Sequence, residues 1–299
     1  MTEVHPDIDT ISPPPDFSGG EFGVTADGLV AAKIADDAYV MVPRRGGGFF
    51  VASAWRIGRP LGDCSRNDFY SWHEEVSGEA AFRDFVLERV GHRRELDRLG
   101  RRKTTAAVST PWGVSQDATL YAEGVVCHST AGHGGFHLSP DRNLLVASNL
   151  RVESGWYEED CQWAIVALTF PDLFTVWERK CADRTIRDWW SDAWEGLVGR
   201  ALAPGESWIK DRRAFECEHA GDWVVISALC SSRHIGMVEV VATPGGRRDR
   251  HAEERRFLVP SDEYGSNSGR LCFVIDEARH HADADAGAFA FAGEQGAGS

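Results

Sequence analysis

The sequence lacks long apolar runs, a leader pattern and paired cysteines. A membrane-spanning helix needs about 18 uninterrupted apolar residues, and no stretch of the sequence approaches that length. The first 20 residues carry four carboxylates and neither a basic nor an apolar segment, so we expect no secretory signal there. The seven cysteines are widely spaced without a Cys-x-x-Cys pair, which argues against a disulfide framework or a zinc ribbon. These absences favour a soluble protein of a reducing, bacterial-type cytoplasm with no membrane partner.

Basic residues are also in short supply. Lys and Arg number 32 against 46 Asp and Glu, which gives a net charge of −14. Direct nucleic-acid binding is not expected, because such proteins use basic surfaces to neutralise phosphates. A basic run from Arg93 to Lys103 is interpreted as cation enrichment at the end of a helix. An acidic surface leaves a basic protein partner open as an alternative.

Ordinary globular composition, with 42% hydrophobic and 26% charged residues, predicts one or two folded domains. Short β-prone runs between turn residues, interrupted by helical patterns, predict an α+β fold with mainly antiparallel sheet and several Trp-rich helices. The predicted organisation is a disordered arm (1–20), a small N-terminal α+β subdomain (21–103), a main α+β domain (104–279) and a disordered tail (280–299).

Individual elements follow from periodicity and caps. Apolar spacing predicts a helix over Glu79–Leu99 with Ser77 as its N-cap, and a helix over Trp156–Phe170 ended by Pro171. One or two further helices are predicted over Leu173–Val198. Strands are predicted at Leu29–Ile34, Ala38–Val42, Phe49–Ala54, Thr119–His128, Phe136–Leu138, Trp223–Leu229, Met237–Ala242, Arg256–Val259 and Leu271–Ile275.

No strong catalytic signature is present, but a glycine-rich segment from Cys127 to His137 concentrates three histidines. His133 is the candidate proton-transfer or ligand residue, because imidazole titrates near neutrality. Glycines allow unusual φ angles and close approach of a ligand to the backbone, so they are candidate ligand-binding residues: Gly132, Gly134 and Gly135. The alternative is a hairpin turn with exposed histidines.

A second cluster places three carboxylates after an indole, in the order Trp156, Tyr157, Glu158, Glu159, Asp160. We predict these carboxylates at a helix start, where they suit the macrodipole without any function. Because successive helical residues are turned by about 100°, at most two would point into one site. Glu158, Glu159 and Asp160 are candidate catalytic partners of His133, and Trp156 is a candidate ligand-binding residue.

Two cysteines and two histidines are further candidates for the same site. Cys127, Cys161, His128 and His137 are further candidates, and a nucleophilic cysteine would need a depressed pKa. A metal would use His133, one of the three carboxylates and another histidine, but no spacing demands one. The sequence therefore leaves metal and cofactor unknown.

One segment of the chain combines four short motifs. They are Thr110-Pro111-Trp112-Gly113, the His-Gly-Gly of 133–135, the Trp-Tyr-Glu-Glu-Asp-Cys of 156–161 and Phe170-Pro171-Asp172-Leu173-Phe174. This combination resembles a bacterial domain-of-unknown-function family. The resemblance spans about residues 110–230. It implies an accessory-gene context, because members are found largely on plasmids and integrative elements. It supports joining the two clusters into one site and implies no mechanism.

Two functions follow as hypotheses. The first is a mobile-element accessory protein with a small polar site, built from the His133 loop and the Glu158–Asp160 segment, that performs hydrolase-like acid–base chemistry on a small molecule. The second is a non-catalytic acidic protein, such as an anti-restriction, DNA-mimic or regulatory factor, that binds a basic protein. Whether the protein is an enzyme stays open.

Overall fold

The computed structural model describes residues 19–44, 47–105, 107–249, 251–267 and 271–282. The chain divides into two compact units, 1–183 and 184–299. Helices and antiparallel sheets alternate along both, so the predicted α+β class is confirmed. None of the helices in the described part of the chain has the length and apolarity that crossing a membrane requires.

The first unit begins with an antiparallel five-stranded meander in the order β1 to β5. Apolar side chains alternate along its strands, and both faces are covered. One face packs against the first helix, and the other packs against the segment that carries Leu61, Cys64 and Phe69. The strands are β1 (Glu21–Val24), β2 (Val30–Ile34), β3 (Asp37–Pro43), β4 (Phe49–Ala54) and β5 (Ser71–Val76).

Helix α1 (Glu79–Leu99) has the predicted bounds. Its buried residues are Phe82, Phe85, Val86 and Val90, which recur at helical spacing and lie against the meander. The predicted cap is wrong by one position. Gly78 is the N-cap and makes no side-chain capping bond, so Ser77 does not satisfy the first turn.

A second antiparallel sheet carries both sequence clusters. Its strand order is β12-β11-β10-β9-β6, and a two-stranded hairpin of β7 and β8 lies between β6 and β9 in the chain. The strands are β6 (Arg102–Thr104), β7 (Ser109–Thr110), β8 (Gly113–Val114), β9 (Asp117–Ala122), β10 (Val125–Ser129), β11 (Gly134–Leu138) and β12 (Trp156–Glu158).

The predicted helix over Trp156–Phe170 is wrong in its first half. Residues Trp156–Glu158 form strand β12, which pairs with β11, and helix α3 (Trp163–Thr169) begins only after a turn. Sheet pairing outweighs the local helical pattern here, because Tyr157 becomes fully buried in the strand. The short helix α2 (Pro140–Asn143) follows Ser139, whose hydroxyl oxygen accepts from the Arg142 N–H as an N-cap.

Helix α4 (Val176–Trp189) contains the division between the units, and α5 (Ser191–Val198) and α6 (Trp208–Glu218) follow. Helix α6 is not among the elements predicted from the sequence. The second unit also holds an antiparallel sheet, β13 (Trp223–Cys230), β14 (Met237–Pro244), β15 (Arg255–Pro260) and β16 (His281–Ala282), with helix α7 (Ser261–Asn267) after β15. Its apolar core includes Trp223, Val240 and Phe257.

Two further expectations need correction. Leu271–Ile275 is not a strand and contributes one isolated bridge, Val224 to Val274. The predicted tail starts too early, because His280 is 3% exposed and β16 pairs with β15. The arm up to residue 18 and the tail from 283 lie outside the described residues. The predicted boundary at 103 falls within the first unit and stays a prediction.

Candidate functional site

His133 lies at the end of the four-residue turn, 130–133, that joins β10 to β11. The turn is closed by Thr130, whose N–H and hydroxyl both donate to the His133 carbonyl, at 2.8 and 2.6 Å. The His133 N–H in turn donates to the Thr130 hydroxyl oxygen at 3.2 Å. This arrangement fixes the backbone of His133 and leaves its imidazole exposed.

Two of the three glycines around His133 are required by lack of space rather than by unusual backbone angles. None of Gly132, Gly134 and Gly135 is among the glycines with positive φ. A Cβ on Gly134 would lie under 3.0 Å from the His128 carbonyl oxygen and from a Glu159 carboxylate oxygen, and one on Gly135 would meet the Tyr157 carbonyl oxygen. Gly132 has open space around it. The three glycines therefore lack the unusual φ angles predicted for them, and their binding of a ligand stays a prediction.

Glu158 ends strand β12 opposite Gly135 and is held by the turn that follows it. One carboxylate oxygen, Oε2, accepts the backbone N–H groups of Asp160 at 2.8 Å and Cys161 at 3.3 Å. The Glu158 N–H donates to the Gln162 side-chain oxygen at 3.0 Å. These bonds preorganise the carboxylate at a strand end rather than at the predicted helix start.

The turn brings Asp160 back toward Glu158 and the loop of His133. One ligand atom from each of His133, Glu158 and Asp160 lies within 4.8 Å of the other two. His133 and Asp160 are exposed and Glu158 is half-buried, so the group lies at the surface. The second Glu158 oxygen, Oε1, is buried and has no hydrogen-bond partner within the described residues. The structure therefore brings three of the four candidate catalytic residues together.

Glu159, the fourth candidate, lies apart from this group. Its N–H donates to the Gly134 carbonyl, and its carboxylate occupies the space that a Gly134 Cβ would take. Burial, and then the Glu159 charge, raises the pKa of Cys127 to about 11. Burial, and then the charges of Glu158 and Asp160, raises the pKa of Cys161. Both thiols are therefore poor nucleophiles, because the thiolate is the reactive form.

Trp156 lies in an aromatic cluster on the sheet face that also carries His128 and His137. Its ring centroid is 4.4 Å from that of His137, 5.4 Å from His128 and 5.9 Å from Trp112. His128 is 5% exposed, and its Nδ1 is 3.2 Å from the Ser115 hydroxyl. Burial lowers the pKa of both histidines, and His137 lowers that of His128 further. Burial therefore favours the neutral form of both imidazoles.

Sequence reasoning missed the contribution of Trp112 and Ser115. Trp112 lies in the β7–β8 turn, and its indole fills the space that a side chain at Gly135 would need. Thr110 and Gly113, on either side of Trp112, are residue types that favour a turn, and they were the available sequence signal. In the structure the Thr110 hydroxyl donates to the Gly113 carbonyl at 2.8 Å.

Comparison with protein families places these features inside one recognised domain. Residues 105–220 match the family model described as a domain of unknown function (DUF7007). The expected resemblance to an uncharacterised domain family is thereby confirmed, and the matched segment includes both clusters. No curated protein and no solved structure matches the chain.

Proposed function

We propose that His133, Glu158 and Asp160 bind one divalent cation, and that the protein uses it as a metal-dependent hydrolase. The observation that carries the proposal is the convergence of these three ligand atoms within 4.8 Å. One imidazole and two carboxylates are ligands that zinc and manganese accept.

The state of the Glu158 carboxylate supports a cation. Its Oε2 is held by two backbone N–H groups, whereas its Oε1 is buried without a partner among the described residues. Leaving a buried acceptor unsatisfied costs about 1–3 kcal/mol, or more when it is charged. A cation bound to Oε1 would remove that cost.

Small side-chain movements would complete the site. Bonds of about 2.0–2.2 Å to one ion require ligand atoms no more than about 4.4 Å apart. The distances of up to 4.8 Å are slightly longer, and the exposed side chains of His133 and Asp160 are able to rotate.

Three protein ligands at an exposed position favour catalysis over structural support. Structural zinc sites are closed by four protein ligands, whereas catalytic sites keep a position for water or substrate. A bound cation supplies Lewis acidity and lowers the pKa of water, which suits hydrolysis of an ester, amide or phosphoester bond. The chain's own part is to orient the ligands through the Thr130 turn and the Glu158 turn.

Calorimetric titration of the chelator-treated full-length protein with Zn²⁺ or Mn²⁺ tests the site. We expect one ion per chain. Loss of a residue that only supports a metal ligand typically weakens metal affinity by about tenfold to hundredfold. Glu158→Gln and His133→Ala should each weaken the affinity for the ion by more than this, because each removes a ligand. Glu159→Gln is the matched control, because it removes an adjacent carboxylate that lies outside the group. Equal losses in Glu158→Gln and Glu159→Gln, or no saturable binding, would refute the site.

Hydrolysis is tested separately with chromogenic carboxylic esters, phosphoric esters and amides. Turnover should require the added ion and disappear in Asp160→Asn, while circular dichroism shows a retained fold. Ion binding without turnover on any class of ester or amide would leave a metal-binding protein and refute the hydrolase.

A second candidate is the non-catalytic interaction protein, which an exposed aromatic surface on the meander favours. Trp55, Tyr70 and Trp72 are each more than half exposed, and Glu74 and Glu75 follow on the exposed strand β5. Aromatic residues beside acidic ones suit a basic protein partner. Trp72→Ala would weaken such a complex and Glu158→Gln would not, which distinguishes this function from the first. An accessory role in mobile elements belongs to either proposal as context.

A further inference from the structure

A cavity in the first unit, apart from the His133 group, is lined by cationic and neutral polar groups. It has a volume of about 240 Å³ and lies between α1, the meander and the start of α4. Its polar lining residues include Arg89, Arg93, His73, His92 and Tyr39. Asp37 is the one carboxylate among the lining residues. Such a lining is unexpected in a chain of net charge −14.

Arg89 is held rigidly without a carboxylate partner. Its guanidinium carbon lies 4.8 Å from the ring centroid of Phe85 and 4.2 Å from that of Trp177, so two aromatic rings fix it. Within the described residues its side chain forms no ion pair, and its Nε is buried without a hydrogen-bond partner. A planar donor group held in this way is preorganised for an oxyanion.

Arg93 adds a second guanidinium from the next turn of α1. Residues four apart lie on the same face of a helix, so both cations reach the same cavity. Among the residues that the structure describes, the Arg93 side chain also has no ion-pair partner. Two unpaired guanidiniums beside each other repel, and a bound dianion would turn that repulsion into attraction.

The two histidines add neutral imidazoles, and the tautomer of His92 makes it a donor. His92 Nδ1 lies 2.8 Å from the Thr175 hydroxyl, and that hydroxyl oxygen already accepts the Glu178 N–H. The Thr175 proton is therefore directed to Nδ1, which favours the His92 tautomer with its proton on Nε2. His73 Nε2 lies 2.8 Å from the Ser53 hydroxyl. Burial lowers the pKa of both imidazoles, so neither needs a carboxylate to balance it.

We propose that this cavity binds a small phosphate-bearing ligand, either inorganic phosphate or a phosphomonoester. A tetrahedral dianion matches two guanidiniums flanked by neutral donors better than a carboxylate does, because it offers more acceptor oxygens to donors from several directions. The cavity is below the about 300–1,000 Å³ of typical ligand pockets, so the ligand is small. Trp177 and Phe85 act as positioning residues for Arg89.

Calorimetry on the full-length protein tests this proposal with inorganic phosphate and with glycerol phosphate, at constant ionic strength. We expect saturable binding with one site per chain. Arg89→Gln and Arg93→Gln should each weaken binding by about tenfold to hundredfold, the range for one hydrogen bond to a charged group. Arg83→Gln is the matched control on the same helix, since Arg83 pairs with Glu79 and does not line the cavity.

The two probes separate the ligand sources. Stronger binding of glycerol phosphate indicates a phosphomonoester, and equal binding indicates that phosphate alone is recognised. Arg89→Lys keeps the charge without the planar fork and serves if Arg89→Gln fails to fold; its affinity should still fall. No saturable binding below about 10 mM phosphate, or equal affinity in wild type and Arg93→Gln, would overturn the proposal.

Discussion

Replacing Gly135 by alanine should destabilise the first unit and disturb the His133 group. A Cβ at this position would meet the Tyr157 carbonyl oxygen and the Trp112 ring at distances under 3.0 Å, which real Cβ atoms essentially never show. The Trp112 ring can move, but the carbonyl belongs to the strand that pairs with Gly135. Overpacking of this kind typically costs about 1–3 kcal/mol, and the backbone contact places Gly135→Ala near the upper end.

Gly132→Ala provides the matched control for this substitution. Gly132 is exposed, has no atom within 4 Å of an added Cβ and lies outside the positive-φ glycines. Its free energy of unfolding should change by less than about 0.5 kcal/mol or rise slightly, because alanine restricts the unfolded chain.

Urea unfolding followed by far-UV circular dichroism compares the two variants. A loss of about 3 kcal/mol corresponds to a fall in Tm of roughly 6–12 °C for a unit of this size. Because Gly135 pairs with Glu158, metal affinity should also fall in Gly135→Ala and stay unchanged in Gly132→Ala. Equal stability of the two variants would refute the conclusion that Gly135 is required because a larger side chain does not fit.

Three further results are expected. Glu178→Gln should lower the free energy of unfolding at pH 7 by about 3 kcal/mol, because it breaks a largely buried ion pair with Arg101. Burial raises the Glu178 pKa, but the bonds from Arg101 and the Thr175 N–H together lower it more. Urea melts should therefore show wild-type stability lost as pH falls below 4.5, and a weaker loss in the variant. The proton NMR titration of His137 should have a midpoint below 6.5, because burial lowers its pKa. As the pH is lowered from 6.5 to that midpoint, the free energy of unfolding should fall less steeply in His137→Gln than in the wild type. A midpoint above 6.5 would contradict the burial of His137. Cys127 should react with iodoacetamide at pH 8 far more slowly in the folded than in the urea-unfolded protein, because its raised pKa leaves little thiolate. Peptide mass spectrometry would measure the two rates, and equal rates would contradict the raised pKa.

The sequence predicts the regular parts of the fold well. Helix α1 carries its apolar residues at one helical spacing, and each β-prone run before it becomes a strand of the meander. Prediction fails at Trp156–Glu158, where local residue types permit either state. The partner strand β11, whose paired residues lie 19 to 23 positions earlier in the sequence, decides the outcome, and no local pattern contains that information.

The candidate site was predicted by residue type and corrected by geometry. His133, Glu158 and Asp160 were identifiable because imidazole and carboxylates cluster in two short segments. Their convergence depends on β11 pairing with β12, which is a tertiary contact. The cavity of Arg89 and Arg93 could not be predicted, since its lining comes from four separate segments of the chain and none has a motif.

The replacement of a helix by a strand at Glu158 changes the chemistry that the site supports. In a helix, Glu158 and Glu159 would be turned by about 100° from one another, and their effects on His133 would differ only by degree. In the strand and turn, the Glu158 carboxylate joins His133 and Asp160. The Glu159 carboxylate instead lies against Gly134 and adds to the rise in the Cys127 pKa that burial causes. Glu158 belongs to the strand and Glu159 to the turn after it, so the two adjacent carboxylates contact different groups. The pair Glu158→Gln and Glu159→Gln thus tests the strand and the cation site together: only the first should lose the ion, and only the second should lower the Cys127 pKa.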